Sequence, residues 1–123
     1  MDTNTNTNMI KERIIRLIET AHQPNLDLAR VLAKSNNFSD IEELLDIVTA
    51  KYNSYSKYFL EIDSYHEMEH IPKCICLLTS LKSLKIVDNK IKDIPDELVN
   101  LTNLQSIFLG WNEIKNIDIL FQI

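Results

Sequence analysis

The chain reads as an α/β protein in which helices come first and short parallel strands follow. Three observations predict this. In the first half, apolar residues recur at three- and four-residue spacings, the period of an amphipathic helix. From Leu81 onward the pattern changes to a short L-x-L alternation, which suits a strand with one face inward. That second half also repeats itself at a fixed step of 23, with Leu104 falling on Leu81 (104 − 81).

The helical half divides into three segments. In "MIKERIIRLIETA" the apolar positions are Ile10, Ile14, Leu17, Ile18 and Ala21, and Pro24 marks the end of the segment. "NLDLARVLAKS" predicts a second, shorter helix with Asn25 as N-cap and an apolar stripe of Leu28, Val31 and Leu32. After the turn "SNNFSD", Ser39 and Glu42 have the spacing of a capping box, S-x-x-E. Ile41, Leu44, Leu45 and Val48 then form the stripe of a third helix running to about Tyr52. Residues 1–8, "MDTNTNTN", carry no apolar side chain between Asp2 and Asn8 and are expected to be a disordered tail.

The two copies of the second half can be written one above the other. "LKSLKIVDNKIKDIPDELVNLTN" starts at Leu81, and "LQSIFLGWNEIKNIDILFQI" starts at Leu104. Leu84 falls on Ile107, Ile86 on Leu109, Asn89 on Asn112, Ile91 on Ile114 and Ile94 on Ile117. Stepping backwards, Ile71-Pro72 falls on Ile94-Pro95, Ile75 on Leu98 and Leu78 on Leu101. Alternate residues of each L-x-L segment point inward, and Asn89 and Asn112 can satisfy backbone groups in the turn that follows.

This pattern resembles the leucine-rich repeat family of the 23-residue class, over roughly Leu60 to the C-terminus. The resemblance implies a short leucine-rich-repeat solenoid of roughly two and a half units over residues 58–123, with its parallel strands on the concave face. Residues 9–57 would be a helical N-terminal cap, packed with the repeats as one domain. It also implies an Asn ladder formed by Asn89 and Asn112, and a concave face that binds a protein partner. The outward strand positions are Lys82, Ser83, Lys85, Val87 and Asp88 in one copy, and Gln105, Ser106, Phe108, Gly110 and Trp111 in the next. Glu61 and Asp63 are their equivalents on the first strand. The expected partner-binding set is Glu61, Lys85, Val87, Asp88, Gln105, Phe108 and Trp111. The repeat has no internal use for aromatics at Phe108 and Trp111, so they read as interface anchors, with a lid over the repeat end as the other reading of Trp111.

The stretch "HEMEH", His66 to His70, matches H-E-x-x-H, the zinc-binding helix that a metal-dependent hydrolase would build from His66, Glu67 and His70. The repeat register opposes that reading. His66 falls on Asn89, Met68 on Ile91 and Pro72 on Pro95, so the stretch is a worn copy of "NKIKDIP" and a turn. In this frame Met68 points inward and His70 outward. The strand before it would be "YFLEID", with Leu60 and Ile62 inward. Here the phase slips by one residue, since Leu60 to Ile71 is 11 and Leu84 to Ile94 is 10. An irregular first repeat or a bulge is therefore expected.

Composition removes other classes. A chain of 123 residues holds one domain. Its formal charge of −5 does not attract a phosphate backbone, so no nucleic-acid partner is expected. No apolar run approaches the roughly 20 residues that span a bilayer, so no membrane partner is expected either. One glycine, Gly110, leaves no phosphate-cradling loop, and no cofactor is expected. Cys74 and Cys76, two positions apart and without a second pair, suit free thiols in the cytoplasm better than a metal site. No catalytic or metal-ligating set emerges, and the chain is expected not to be an enzyme. Three outcomes are open for the apolar C-terminal stretch "NIDILFQI": a minimal cap, an edge that pairs with a second copy and buries Ile107 and Leu109, or part of a longer repeat protein.

Overall fold

A computed structural model describes residues 3–63, 68–87, 90–110 and 112–115. The described residues form a mixed α/β fold of three α-helices and a four-stranded open sheet, with two 3-10 helices between the strands.

Helix α1 spans Thr3–Glu19 and buries Ile14, Ile15 and Ile18. It begins ahead of Met9, so the tail expected over residues 1–8 is helical from Thr3 onward. Once the turns around Ile14 are nucleated by packing, each added residue gains a backbone hydrogen bond, which offsets part of the weak helix propensity of Thr and Asn. Ala21, at φ 53°, breaks the chain between helices. Helix α2 spans Gln23–Ser35 with His22 as N-cap, and Pro24 lies in its first turn. Pro24 therefore opens α2, where its fixed φ suits the helix and its missing N–H has no acceptor to lose. Asn25, expected as the cap, instead donates through Nδ2 to Thr20 Oγ1 at 3.1 Å.

The buried face of α2 also differs from the expected one. Leu26, Ala29 and Ala33 face the core, whereas Leu28 is 46% and Val31 60% exposed. α2 packs between α1 and α3, and small side chains permit that close approach. Helix α3 spans Ser39–Thr49 and buries Ile41, Leu44, Leu45 and Val48, as its stripe predicts. Its capping box is not formed. Asn37 at φ 57° turns the chain early, Phe38 becomes the N-cap, and Ser39 is already helical. The Ile41 and Glu42 N–H groups donate to the Phe38 carbonyl at 3.1 and 3.0 Å. Lys11 ties α1 to this end by pairing with Asp40 at 3.0 Å.

Strand β1, Ser54–Ser56, lies inside the segment expected to be all helical. It pairs antiparallel with β2, Phe59–Ile62, across the turn Lys57-Tyr58. β2, β3 (Ser83–Ile86) and β4 (Ser106–Phe108) follow in parallel, in the order β1-β2-β3-β4. Leu60, Ile62, Leu84 and Ile86 are fully buried, as the L-x-L pattern requires. One core joins them to the helices and to the 3-10 helices Lys73–Leu77 and Asp96–Asn100.

The repeat step is visible in the backbone. The N–H groups of Ile75, Leu78, Thr79 and Leu81 donate to the carbonyls of Pro72, Ile75, Leu77 and Leu78. Those of Leu98, Leu101, Thr102 and Leu104 donate to Pro95, Leu98, Asn100 and Leu101, each donor and acceptor one step of 23 later (98 − 75, 95 − 72). The flanking dihedrals repeat as well: Pro72 is at −60°, 133° and Pro95 at −68°, 144°.

The expected slip is also present. β2 pairs with β3 at a step of 24 (84 − 60), whereas the bridge between His70 and Asp93 has the step of 23 (93 − 70). The Lys90 N–H donates to the Met68 carbonyl and the Glu113 N–H to that of Ile91, again a step of 23 (91 − 68). The extra residue is thus absorbed between Ile62 and Met68.

Candidate functional site

The pleat that buries Leu60 and Leu84 turns their neighbours to the other face of the sheet. Glu61, Lys85 and Phe108 are register partners on β2, β3 and β4 and form one row across that face. Lys85 Nζ lies 3.3 Å from Glu61 Oε1 and 5.6 Å from the Phe108 ring centroid. The lysine is therefore held between a carboxylate and an aromatic face. Phe108 is 55% exposed, and it rests on the one glycine of the chain. A Cβ on Gly110 would stand 3.2 Å from Phe108 Cε1, closer than an ordinary contact. The next row is Phe59, Ser83 and Ser106, with Ser106 Oγ donating to Ser83 Oγ at 3.0 Å.

Of the other expected binding residues, Gln105 is exposed at the start of β4 and Val87 half-buried after β3. Asp88, Asn89, Trp111 and the C-terminal stretch from Asn116 onward lie outside the described residues. Asn112 is half-buried and bonds to backbone groups around its turn, while Asn89, the other residue of the expected ladder, is outside the described residues. Asn112 Nδ2 donates to the Ile86 carbonyl at 2.8 Å and to that of Leu109 at 3.0 Å, and its Oδ1 accepts the Ile91 N–H at 3.1 Å.

His66 and Glu67 also lie outside the described residues, but His70 does not. It forms a β-bridge with Asp93, and neither Glu69 nor His70 is helical. The i, i+4 helical geometry that H-E-x-x-H chemistry needs is not formed at its second histidine. His70 is exposed, with Nδ1 2.9 Å from Asp93 Oδ1. Met68, expected inward, packs half-buried against the core. Among the described residues no group of three or more His, Cys, Asp or Glu side chains is arranged to hold a metal ion.

Cys74 and Cys76 are buried free thiols. Burial first, and then a hydrogen bond from Cys74 Sγ to Glu43 Oε1 at 3.3 Å, raises the Cys74 pKa far above the ordinary thiol range. Burial, with the Glu97 charge, pushes Cys76 up to about 11. Both are held as neutral thiols, the opposite of an activated nucleophile.

Two features were missed in the sequence. The first is a set of contacts between successive repeats: the ion pairs Glu69–Lys92 at 3.5 Å and Lys73–Glu97 at 3.6 Å, beside the polar contact of His70 with Asp93. Exposed pairs of this kind contribute at most about 1 kcal/mol each, so they favour register more than stability. Their steps of 23 and 24 (92 − 69, 97 − 73) made them findable. The second is Tyr58, 48% exposed, with the Nζ atoms of Lys82 and Lys57 at 4.7 and 5.4 Å from its ring centroid. The slip hides it, because counting 23 back from Lys82 lands on Phe59 and counting 24 lands on Tyr58.

No described helix is long and apolar enough to cross a membrane. Comparison with protein-family models, with curated proteins and with solved structures finds no match to this chain.

Proposed function

We propose that the chain is a short leucine-rich-repeat module that binds another protein through its strand face and carries out no reaction of its own. The observation that supports this reading most is Phe108. It is a large aromatic, 55% exposed, on a strand whose neighbours bury their other face completely. Lys85 Nζ lies 5.6 Å from its ring centroid, and Gly110, with no side chain, leaves room for the ring. An exposed aromatic has few side-chain torsions to fix on binding and suits the role of an interface anchor. The reading keeps the protein in the cytoplasm, where buried free thiols such as Cys74 and Cys76 stay reduced.

The test is capture of partners from the native cell lysate with three baits: the unaltered protein, Phe108→Ala and Trp111→Ala. A protein retained by the unaltered bait and lost from both variants is the expected result. Retention of every captured protein by Phe108→Ala would remove the strand face from the account.

A second reading has one observation in its favour. Leu81, Leu84, Ile86 and Ile91 are fully buried, while Leu104, Ile107, Leu109 and Ile114, one repeat later, are only partly so. Pairing of the β4 edge with a second copy would cover them. Light scattering across a concentration series decides this reading: a dimer supports it and a monomer at high concentration removes it.

A further inference from the structure

We infer that the rim of the strand face, where the chain enters its strands, docks an extended acidic segment of a protein partner. The inference rests on the strand-face reading and adds the chemistry of what that face takes. Tyr58, Lys82 and Gln105 occupy one place on three successive strands. The Tyr58 carbonyl accepts the N–H groups of Lys82 and Ser83 at 2.8 and 3.0 Å, and the Lys82 carbonyl accepts those of Gln105 and Ser106 at 2.8 and 3.1 Å. All three side chains are exposed, so they form a continuous polar row along the rim.

Two cations converge on that row. Lys82 and Lys57 both place Nζ over the Tyr58 ring, and among the described residues neither has a carboxylate within ion-pair distance. Lys57 also lines a shallow groove with Arg16 and Ser80, in which Glu19 is the one acidic side chain. In a chain of formal charge −5, two exposed lysines over one aromatic ring, with Arg16 along the groove that Lys57 lines, run against the overall balance. Lys85, the lysine within the strands, is by contrast paired with Glu61. The rim is therefore a local positive field with an apolar ring at its centre.

The spacing suits a strand-like ligand. Adjacent strands lie about 4.8 Å apart and an extended peptide rises about 3.3 Å per residue, so roughly four residues cross from Tyr58 to Gln105. Carboxylates at alternate positions of such a segment reach Lys57 and Lys82, while its backbone can bond to the Gln105 amide. A nucleic acid fits less well, since a long polyanion extends past the patch onto a net negative surface.

The experiment is fluorescence anisotropy with a labelled peptide of alternating Glu and Ser. A Lys/Ser peptide and a single-stranded oligothymidine serve as comparisons. The Glu/Ser peptide should bind, and its affinity should fall roughly tenfold or more in Lys57→Glu with Lys82→Glu and fall again with added salt. Lys57→Gln with Lys82→Gln, which adds no charge, should weaken it in the same direction with the circular dichroism spectrum unchanged. Absence of Glu/Ser binding, affinity untouched by either double variant, or tighter binding of the oligothymidine overturns the inference. Phe108→Ala separates it from the reading beneath. If the rim variants abolish Glu/Ser binding and Phe108→Ala leaves it unaltered, the rim stands and the strand-face anchor falls. If only the Lys/Ser peptide binds, and does so through Phe108, the anchor stands and the acidic ligand falls.

Discussion

The side chain of Asn112 holds the backbone of Ile91 in the preceding turn, accepting its N–H at 3.1 Å while donating to the Ile86 carbonyl at 2.8 Å. One half-buried amide thus joins two successive turns of the repeat. Asn112→Ala leaves a donor and an acceptor unpaired and should destabilise the protein by about 1–3 kcal/mol. Asn112→Asp keeps the acceptor but sets a charged oxygen against the Ile86 and Leu109 carbonyls, so it should be no more stable than Asn112→Ala. Urea denaturation measures both, and equal midpoints for all three proteins would end the ladder role.

Gly110 lies under the Phe108 ring, not at a left-handed turn. Gly110→Ala should therefore leave stability within about 1 kcal/mol, because the backbone accepts alanine and the unfolded chain loses freedom. The new Cβ should nonetheless tilt the ring and weaken capture of any partner that depends on Phe108. A binding loss equal to that of Phe108→Ala, without a shift in Tm, is the expected pair of results.

The buried thiols make a pH prediction. Their folded pKa lies above the unfolded value, so the neutral thiol contributes stability that is complete below the ordinary pKa of 9.0. That contribution is lost as pH rises from 9.0 through the raised value of about 11 for Cys76. Stability should decline over that window, and Cys76→Ser should flatten part of the decline. At pH 8 both thiols should react with a disulfide reagent only as fast as the protein opens; immediate reaction would place them at the surface.

Helix α2 offers a direct check on its orientation. Leu28→Glu with Val31→Glu should change stability by no more than about 0.5 kcal/mol per site, since both side chains are largely exposed. Ala33→Leu, on the opposite face, should overpack the core and cost about 1–3 kcal/mol. The reverse ranking in thermal melts would restore the Leu28, Val31 and Leu32 stripe as the buried one.

What could be read in advance follows from how strongly each residue is constrained. The inward positions Leu60, Ile62, Leu84 and Ile86, the bonding of Asn112 and the one-residue slip were all legible, because a repeated step constrains many residues at once. The face of α2 was not. Leu28 and Val31 make a convincing apolar stripe, and only the close approach of α1 and α3 selects Ala29 and Ala33 instead. Strand β1 escaped notice because Ser54-Tyr55-Ser56 has no apolar alternation; it forms by pairing with β2. The ring of Tyr58 and its two lysines were hidden by the slip itself. Phe108 and Lys85 were identified one by one, but the row with Glu61 that fixes Lys85 needed the β2–β3 register.

Binding through the strand face is tested by setting that face against the exposed face of α2. Partner capture is compared for Lys85→Ala with Phe108→Ala and for Leu28→Glu with Val31→Glu, beside the unaltered protein. The captured protein should disappear with the strand-face pair and persist with the helix pair. Persistence with the strand-face pair and loss with the helix pair would contradict binding through the strand face.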